Sequence, residues 1–387
     1  MISARQAYYK KWKINLLSAE KEGVRLMKRY GSKQYQLIII AFLANFCLSS
    51  PIYSDQPSGS SKSQLRIIPL PEIESPGYVR ADFGKVYIQD KTNIAVYSFE
   101  TGRFLKHIGR SGQGPGEFTL LGSFYLAEGR IVAEDIGKTL FFSPEGDYLG
   151  QLIPPSKAMG PYPFLPVGSH FVGIPLERAE DGRTLPPMLI VYDQAGKPLK
   201  QLLEVPDVLP SPPSRPGASG SFRKQDQLMV REYFDYIVYD HKIFVADSSQ
   251  GLSIKVFDET GNLLYEIRHP IEKTRVPKDY RDRVLRSLPK KFLENNQPIF
   301  PPYFPSFVAF KIDDGKIYVI TPAQKNQLNE VITMNLKGQI LDRSFRFQKE
   351  TDYEVPIRFA RTFDVERDCF VWVEYNEPAE RYELHIY

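Results

Sequence analysis

At 387 residues the chain is longer than one ordinary compact domain but of normal length for a single repeat array. Hydrophobic residues make up 42% and aromatics 13%, enough for a packed core, and 31 Pro with 26 Gly favour strands joined by many turns. Nine of the 50 Lys/Arg and two of the 46 Asp/Glu fall in residues 1–50, which leaves 41 basic against 44 acidic residues; the formal charge of +4 belongs to the N-terminus, and the body gives no electrostatic case for nucleic-acid binding.

Residues 1–54 read as an export signal region. Leu37 to Leu48 is an apolar run of 12 residues, the length of a signal-peptide core and short for a membrane span. Met27-Lys28-Arg29 and Lys33 supply the positive stretch before it, so Met27 is the expected start. Residues 1–26 are then an upstream extension or a long positive region. Cleavage is expected after Ser54. Two alternatives are lipid attachment at Cys47, where Phe46 is bulkier than such a site wants, and an uncleaved short anchor. The expected location is the periplasm, the cell surface or the medium, with membrane contact only through the signal or a lipid anchor. Cys369 is the one cysteine beyond this region, so no internal disulfide is expected. Residues 55–64 (DQPSGSSKSQ) read as a flexible linker.

One pattern then recurs through residues 65–387. An apolar strand comes first, ending in an acid in four of six copies: Val86–Asp90, Ile131–Asp135, Phe171–Pro175, Ile243–Asp247, Ile317–Thr321 and Phe370–Glu374. A further strand leads to a turn with a polar residue three places before a glycine, at Gly146, Gly196, Gly261 and Gly338, and at Gly102 with Ser98 one place early. Leu105, Leu149, Leu199, Leu264 and Leu341 stand three residues past each glycine and are expected on a buried strand face. Ile108, Leu152, Leu202 and Ile267 follow three further on. About four short strands per copy and six copies specify an all-β fold, a six-bladed β-propeller. The sixth copy stops at its third strand, Glu383–Tyr387, and Leu65–Leu70 is available as the missing fourth; an open solenoid is the alternative.

Gly109–Phe118 (GRSGQGPGEF) resembles a loop of secreted bacterial six-bladed propellers of the NHL/TolB-like type, as does Pro302-Tyr303-Phe304-Pro305 leading into Ile312–Val319. The resemblance implies architecture rather than activity. Some NHL-like propellers are metal-dependent lactonases or lyases, which implies an alternative: a hydrolase or lyase with a divalent cation such as calcium in the channel.

Propeller geometry sorts the chain between two faces. The uniform Gly-Lys turns and glycine hairpins share one. The Gly-Pro-Gly-Glu-Phe loop, the 203–230 insertion and the 271–303 insertion, with a short helix expected over Pro277–Leu293 and a break at Pro289, share the other. Variable loops on a rigid scaffold are where binding usually resides. The candidate binding residues there are Arg358 and Arg361, expected on the innermost strand of the last blade, Tyr233, Phe234, Tyr303 and Phe304 beside the insertions, and Glu117. Asp90, Asp135, Asp247 and Glu374 occupy equivalent positions: they are the candidate metal ligands of the alternative, or else acceptors for their own loops. The five His show no metal spacing, and Gln113 breaks a nucleophile elbow at Ser111. The sequence is therefore read as a monomeric, non-catalytic module without a cofactor that engages a protein, peptide or glycan.

Overall fold

The computed structural model describes residues 65–153, 163–175, 186–206, 225–347, 353 and 356–387. The signal region, the linker and the middle of the 203–230 insertion lie outside the described residues.

The recurring pattern folds as six four-stranded antiparallel sheets. The first blade runs Pro76–Asp82, Lys85–Asp90, Asn93–Ser98 and Phe104–Ile108, from the centre outward. Innermost strands of successive blades lie side by side in a closed cycle, with Phe363–Glu366 of the sixth returning to Pro76–Asp82 of the first. The sixth blade takes its outer strand from the other end of the chain. Arg66–Pro69 pairs antiparallel with Arg381–Ile386, Arg66 opposite Ile386 and Pro69 opposite Glu383. Closure of this kind buries what would otherwise be an exposed sheet edge.

Turn chemistry explains why the copies look alike. In five blades the hairpin between the first two strands has two successive residues at positive φ: Phe83-Gly84, Glu128-Gly129, Asp240-His241, Asp314-Gly315 and Arg367-Asp368. That is the two-residue turn whose twist matches the flanking strands. At the outer hairpins the polar starter accepts from the main chain. Asp258 Oδ1 takes Thr260 N at 3.0 Å and Asn262 N at 2.8 Å, and Asn335 Oδ1 takes Lys337 N and Gln339 N at 3.0 Å each.

The outer glycines also lock neighbouring blades together. A Cβ on Gly102, Gly146, Gly261 or Gly338 would stand 2.4–2.6 Å from Ile68, Ile108, Leu202 or Ile267 of the preceding blade's outer strand. Ile68 of the closing strand thus fills the place that Ile108 fills one blade on. The leucines three past each glycine do the opposite of what was expected. Leu105, Leu149, Leu199, Leu264 and Leu341 are all about half exposed on the rim. The reason is strand period: positions three apart face opposite sides, so when Ile108 or Ile267 enters the blade interface its partner at minus three must leave it.

The Gly109–Phe118 loop is held from within. Phe118 is fully buried between the first two blades, and a Cβ on Gly109 would fall 2.1 Å from its ring. Glu117 accepts from Gly114 N at 2.9 Å and pairs with Arg110 at 2.7 Å. These bonds hold its carboxyl below the usual range.

The 271–303 insertion forms two helices, Lys278–Ser287 and Lys290–Asn295, with Pro277 and Pro289 standing just before each. Neither buries a residue completely, and Leu285 is 39% exposed. Tyr280 does the anchoring: its ring meets Phe304 at 5.1 Å, Tyr353 at 5.5 Å and Phe300 at 6.5 Å, all edge-on. A parallel pair, Gln225–Leu228 with Asn296–Ile299, ties the ends of the two insertions together.

Candidate functional site

Two places concentrate polar chemistry: the channel and, on the irregular side of the ring, a groove beside the fifth blade.

The channel is filled. Arg80, Asp235 and Lys311 of the inner strands are buried together there with Arg361. Arg80 donates to Val79 O at 2.7 Å and Arg361 O at 3.1 Å, and its guanidinium lies 5.1 Å from the Tyr125 ring centre. Arg361 covers Tyr125 at 5.3 Å and Tyr78 at 5.6 Å. Lys311 stands 3.7 Å from Asp364 and over the Phe363 ring. Asp235 accepts from Tyr233 Oη at 3.2 Å and Tyr236 N at 2.9 Å. Arg80, Lys311, Arg361 and Asp235 are each less than a tenth exposed. Burial pulls the Lys311 ammonium down to about 8, against the pull of Asp364, and pushes the Asp235 and Glu134 carboxyls up.

At the regular end of the channel stand Asp82, Asp313 and Glu366. Burial first, then repulsion from Asp364 and among the three, raises them to about 6, 6 and 7. Two of them act as latches between blades: Arg367 N donates to Asp313 at 2.7 Å and Gly84 N to Glu366 at 3.1 Å.

The groove is open. It is a cavity of about 840 Å³ lined by Ile271 to Arg275, Tyr303, Thr321, Ala323, Glu330 and Arg343. One wall is the insertion. Residues 274–276 and 302–304 clasp each other through Phe304 N to Thr274 O at 2.9 Å and Val276 N to Pro302 O at 3.1 Å. The other wall is the hairpin of the fifth blade, Lys316–Lys325 with Leu328–Asn335, turned by Asn326 and Gln327 at positive φ. On its floor Glu330 is satisfied, accepting from Thr321 Oγ1 at 2.6 Å and Arg343 Nε at 2.7 Å. Lys273 and Arg275, two apart on extended chain and so on one side of it, hold their cations 5.8 and 5.5 Å from the Tyr303 ring centre.

The expected site residues separate accordingly. Tyr303 lines the groove. Arg361 lines the channel, but from a short helix, Pro356–Arg361, rather than the innermost strand, which begins at Phe363. Arg358 shares that helix, and its side chain lies outside the described residues. Tyr233, Phe234 and Phe304 are core: the first two are fully buried, and Phe304 stacks on Tyr353 at 4.0 Å. Glu117 locks its own loop.

Asp90, Asp135, Asp247 and Glu374 do not come together. Asp90 accepts from Glu74 N and Ser75 N, Asp135 from Thr119 N, Leu120 N and Ile136 N, and Asp247 from Ser249 N. Glu374 lies 3.8 Å from His385. Among the described residues no three His, Cys, Asp or Glu converge as metal ligands would. Lys273 and Arg275 were not singled out from the sequence. The signal was there: residues 272–294 hold eight Lys/Arg against four Asp/Glu, in a body that is otherwise acidic.

No curated protein matches the chain. Residues 71–157 match a family described as a 6-bladed beta-propeller. Among solved structures the chain is similar to a duf4221 family member from Bacteroides vulgatus, at 13% identity and a TM-score of 0.45 over 84% of this chain and 95% of that one. It is also similar to BamB from Moraxella catarrhalis, at 10% identity and 0.31 over 81% and 84%. A third is the Pan2 WD40 domain of Neurospora crassa, at 9% identity and 0.38 over 80% and 88%. Likenesses this distant leave the blade count to rest on the strand order. That order, with the closed cycle of inner strands, makes the chain a six-bladed β-propeller.

Proposed function

We propose that the chain is an exported, non-catalytic binding module that engages a protein, peptide or glycan through its insertion-bearing face. The observation that carries this reading is the groove of about 840 Å³ beside the insertion, in the size range of about 300–1,000 Å³ that small-molecule sites occupy. A repeat scaffold needs no such cavity to close. The channel supports the same reading from the other side: its carboxylates are engaged by protein donors and cations, and its buried pairs serve packing of the ring.

The test is retention of the full chain on peptide and glycan arrays. Tyr303→Ala with Arg275→Ala should lower retention by at least tenfold, and Glu145→Ala on the regular face should leave it unchanged. Equal retention by the groove variant and the native chain would remove the groove from the binding surface. Export is tested separately, by sequencing the N-terminus of the protein recovered outside the cytoplasm.

A further inference from the structure

The groove has a chemistry of its own. Its cations do not balance. Glu330 is spent on Arg343 and Thr321, which leaves Lys273 and Arg275, both exposed and turned onto the face of Tyr303, against Glu272 alone, an excess of one cation. The helices behind them continue the excess, with Lys278, Arg281, Arg283, Arg286, Lys290 and Lys291 against Asp279, Asp282 and Glu294. An anionic ligand is therefore drawn to this side of a chain whose other residues beyond position 50 carry more acid than base.

The lining also bears on what carries the anion. Peptide grooves offer apolar pockets for alternate or i, i+4 side chains. Here the apolar lining is limited to Ile271, Ala323 and the Tyr303 ring. Around it stand hydroxyls and charged ends of both signs: Thr274, Thr321, Glu272, Lys273, Arg275 and Arg343. A mixed set of donors and acceptors beside one aromatic ring suits a polyol, whose hydroxyls both give and accept hydrogen bonds, and two cations two residues apart suit carboxylates carried on that polyol.

We propose that the groove between the 271–303 insertion and the fifth-blade hairpin binds an acidic oligosaccharide, with Lys273 and Arg275 pairing the uronate carboxylates and Tyr303 lying against a sugar ring. This rests on the insertion face being the binding surface and names its ligand class.

The experiment is calorimetric titration of the full chain with a panel of oligouronates (galacturonate, alginate and hyaluronan oligomers), the methyl-esterified galacturonate oligomer, and poly-glutamate. The expected result is binding of at least one oligouronate, loss of about tenfold or more on methyl esterification, and weakening as salt rises. Lys273→Glu with Arg275→Glu should abolish binding with an unchanged melting temperature, both side chains being exposed. Lys273→Arg should retain it.

Equal binding of the esterified oligomer, still lost in the groove variants, would overturn the acidic class and leave the binding face standing. Preferential binding of poly-glutamate would overturn the sugar. Absence of binding across the panel would overturn the ligand class, and the array comparison with the Tyr303/Arg275 variant would then decide for or against the face itself. Oligouronate binding untouched by charge reversal would overturn the site.

Discussion

The two faces of this ring are made from the same strands and obey different rules. On the regular face nearly every residue answers to a neighbour. Paired positive-φ residues turn the inner hairpins, glycines clear the way for the preceding blade's aliphatics, and Asp313 and Glu366 catch amides across blade boundaries. On the irregular face the connections differ from blade to blade. Prolines start two helices there, a long hairpin rises from the fifth blade, and a charged groove opens between them. The repeat uses up the freedom of one face and leaves the other free to vary, which is why the candidate site lies where the pattern breaks.

This contrast can be broken at the regular face first. Gly261→Val places a Cβ 2.6 Å from Leu202 at a φ of +83°, combining backbone strain with overpacking, and should cost about 3 kcal/mol or more in urea unfolding. Lys311→Met in the channel leaves the partly buried Asp364 without its cation but with its main-chain donors, and should cost less, about 1–2 kcal/mol. Gly129→Ala is the sharper control. Its φ is +70° but nothing lies within 4 Å of the added Cβ, so only the backbone term remains, about 1–2 kcal/mol. If Gly129→Ala costs as much as Gly261→Val, the blades are not interlocked through these glycines.

Electrostatics gives a smaller effect with a defined pH window. Asp82, Asp313 and Glu366 have folded pKa values of about 6, 6 and 7, above their ordinary values near 4. Raised carboxyls bind protons more tightly in the folded chain. Their contribution to stability is therefore fullest below about pH 4 and is lost as pH rises through about 6–7. Glu366→Gln keeps the bond from Gly84 N and removes a charge. It should stabilise the ring by about 1 kcal/mol at pH 8 and lose that advantage by pH 5, read from melting temperatures across the range. The smallest effect is expected at Arg110→Ala, whose guanidinium is exposed beside Glu117; the loop is held by its main-chain bonds and Phe118, and the melting temperature should barely move.

The ring itself was readable from sequence because its determinants are local. A polar residue shortly before a glycine and an apolar strand that in four copies ends in acid each describe a few consecutive residues, and their repetition averages out errors. Even so, Leu105 and its equivalents were misplaced. Their spacing of three from Ile108 crosses the strand, and no pattern in the copies says which of two apolar positions faces the next blade. Arg361 reached the channel from an unforeseen helix, because six residues before a blade look alike as strand or as helix. The groove was least legible. Lys273 and Arg275 lie more than fifty residues from Glu330 in the chain and come to line one groove with it only after the insertion folds back on the fifth blade. Tyr303 was found by its neighbourhood, while Tyr233 and Phe304, chosen on the same ground, proved to be core.

The sixth blade has a consequence in time. Arg66 finds its partner in Ile386, so the first strand of the ring must stay unpaired until the last strand has formed. The entropic toll of joining the two ends falls late and all at once, and folding of the ring is expected to be slow for its size, with closure as its final step. Until that moment each half-built ring carries a sticky edge at either end, and two such chains are equally able to finish one another.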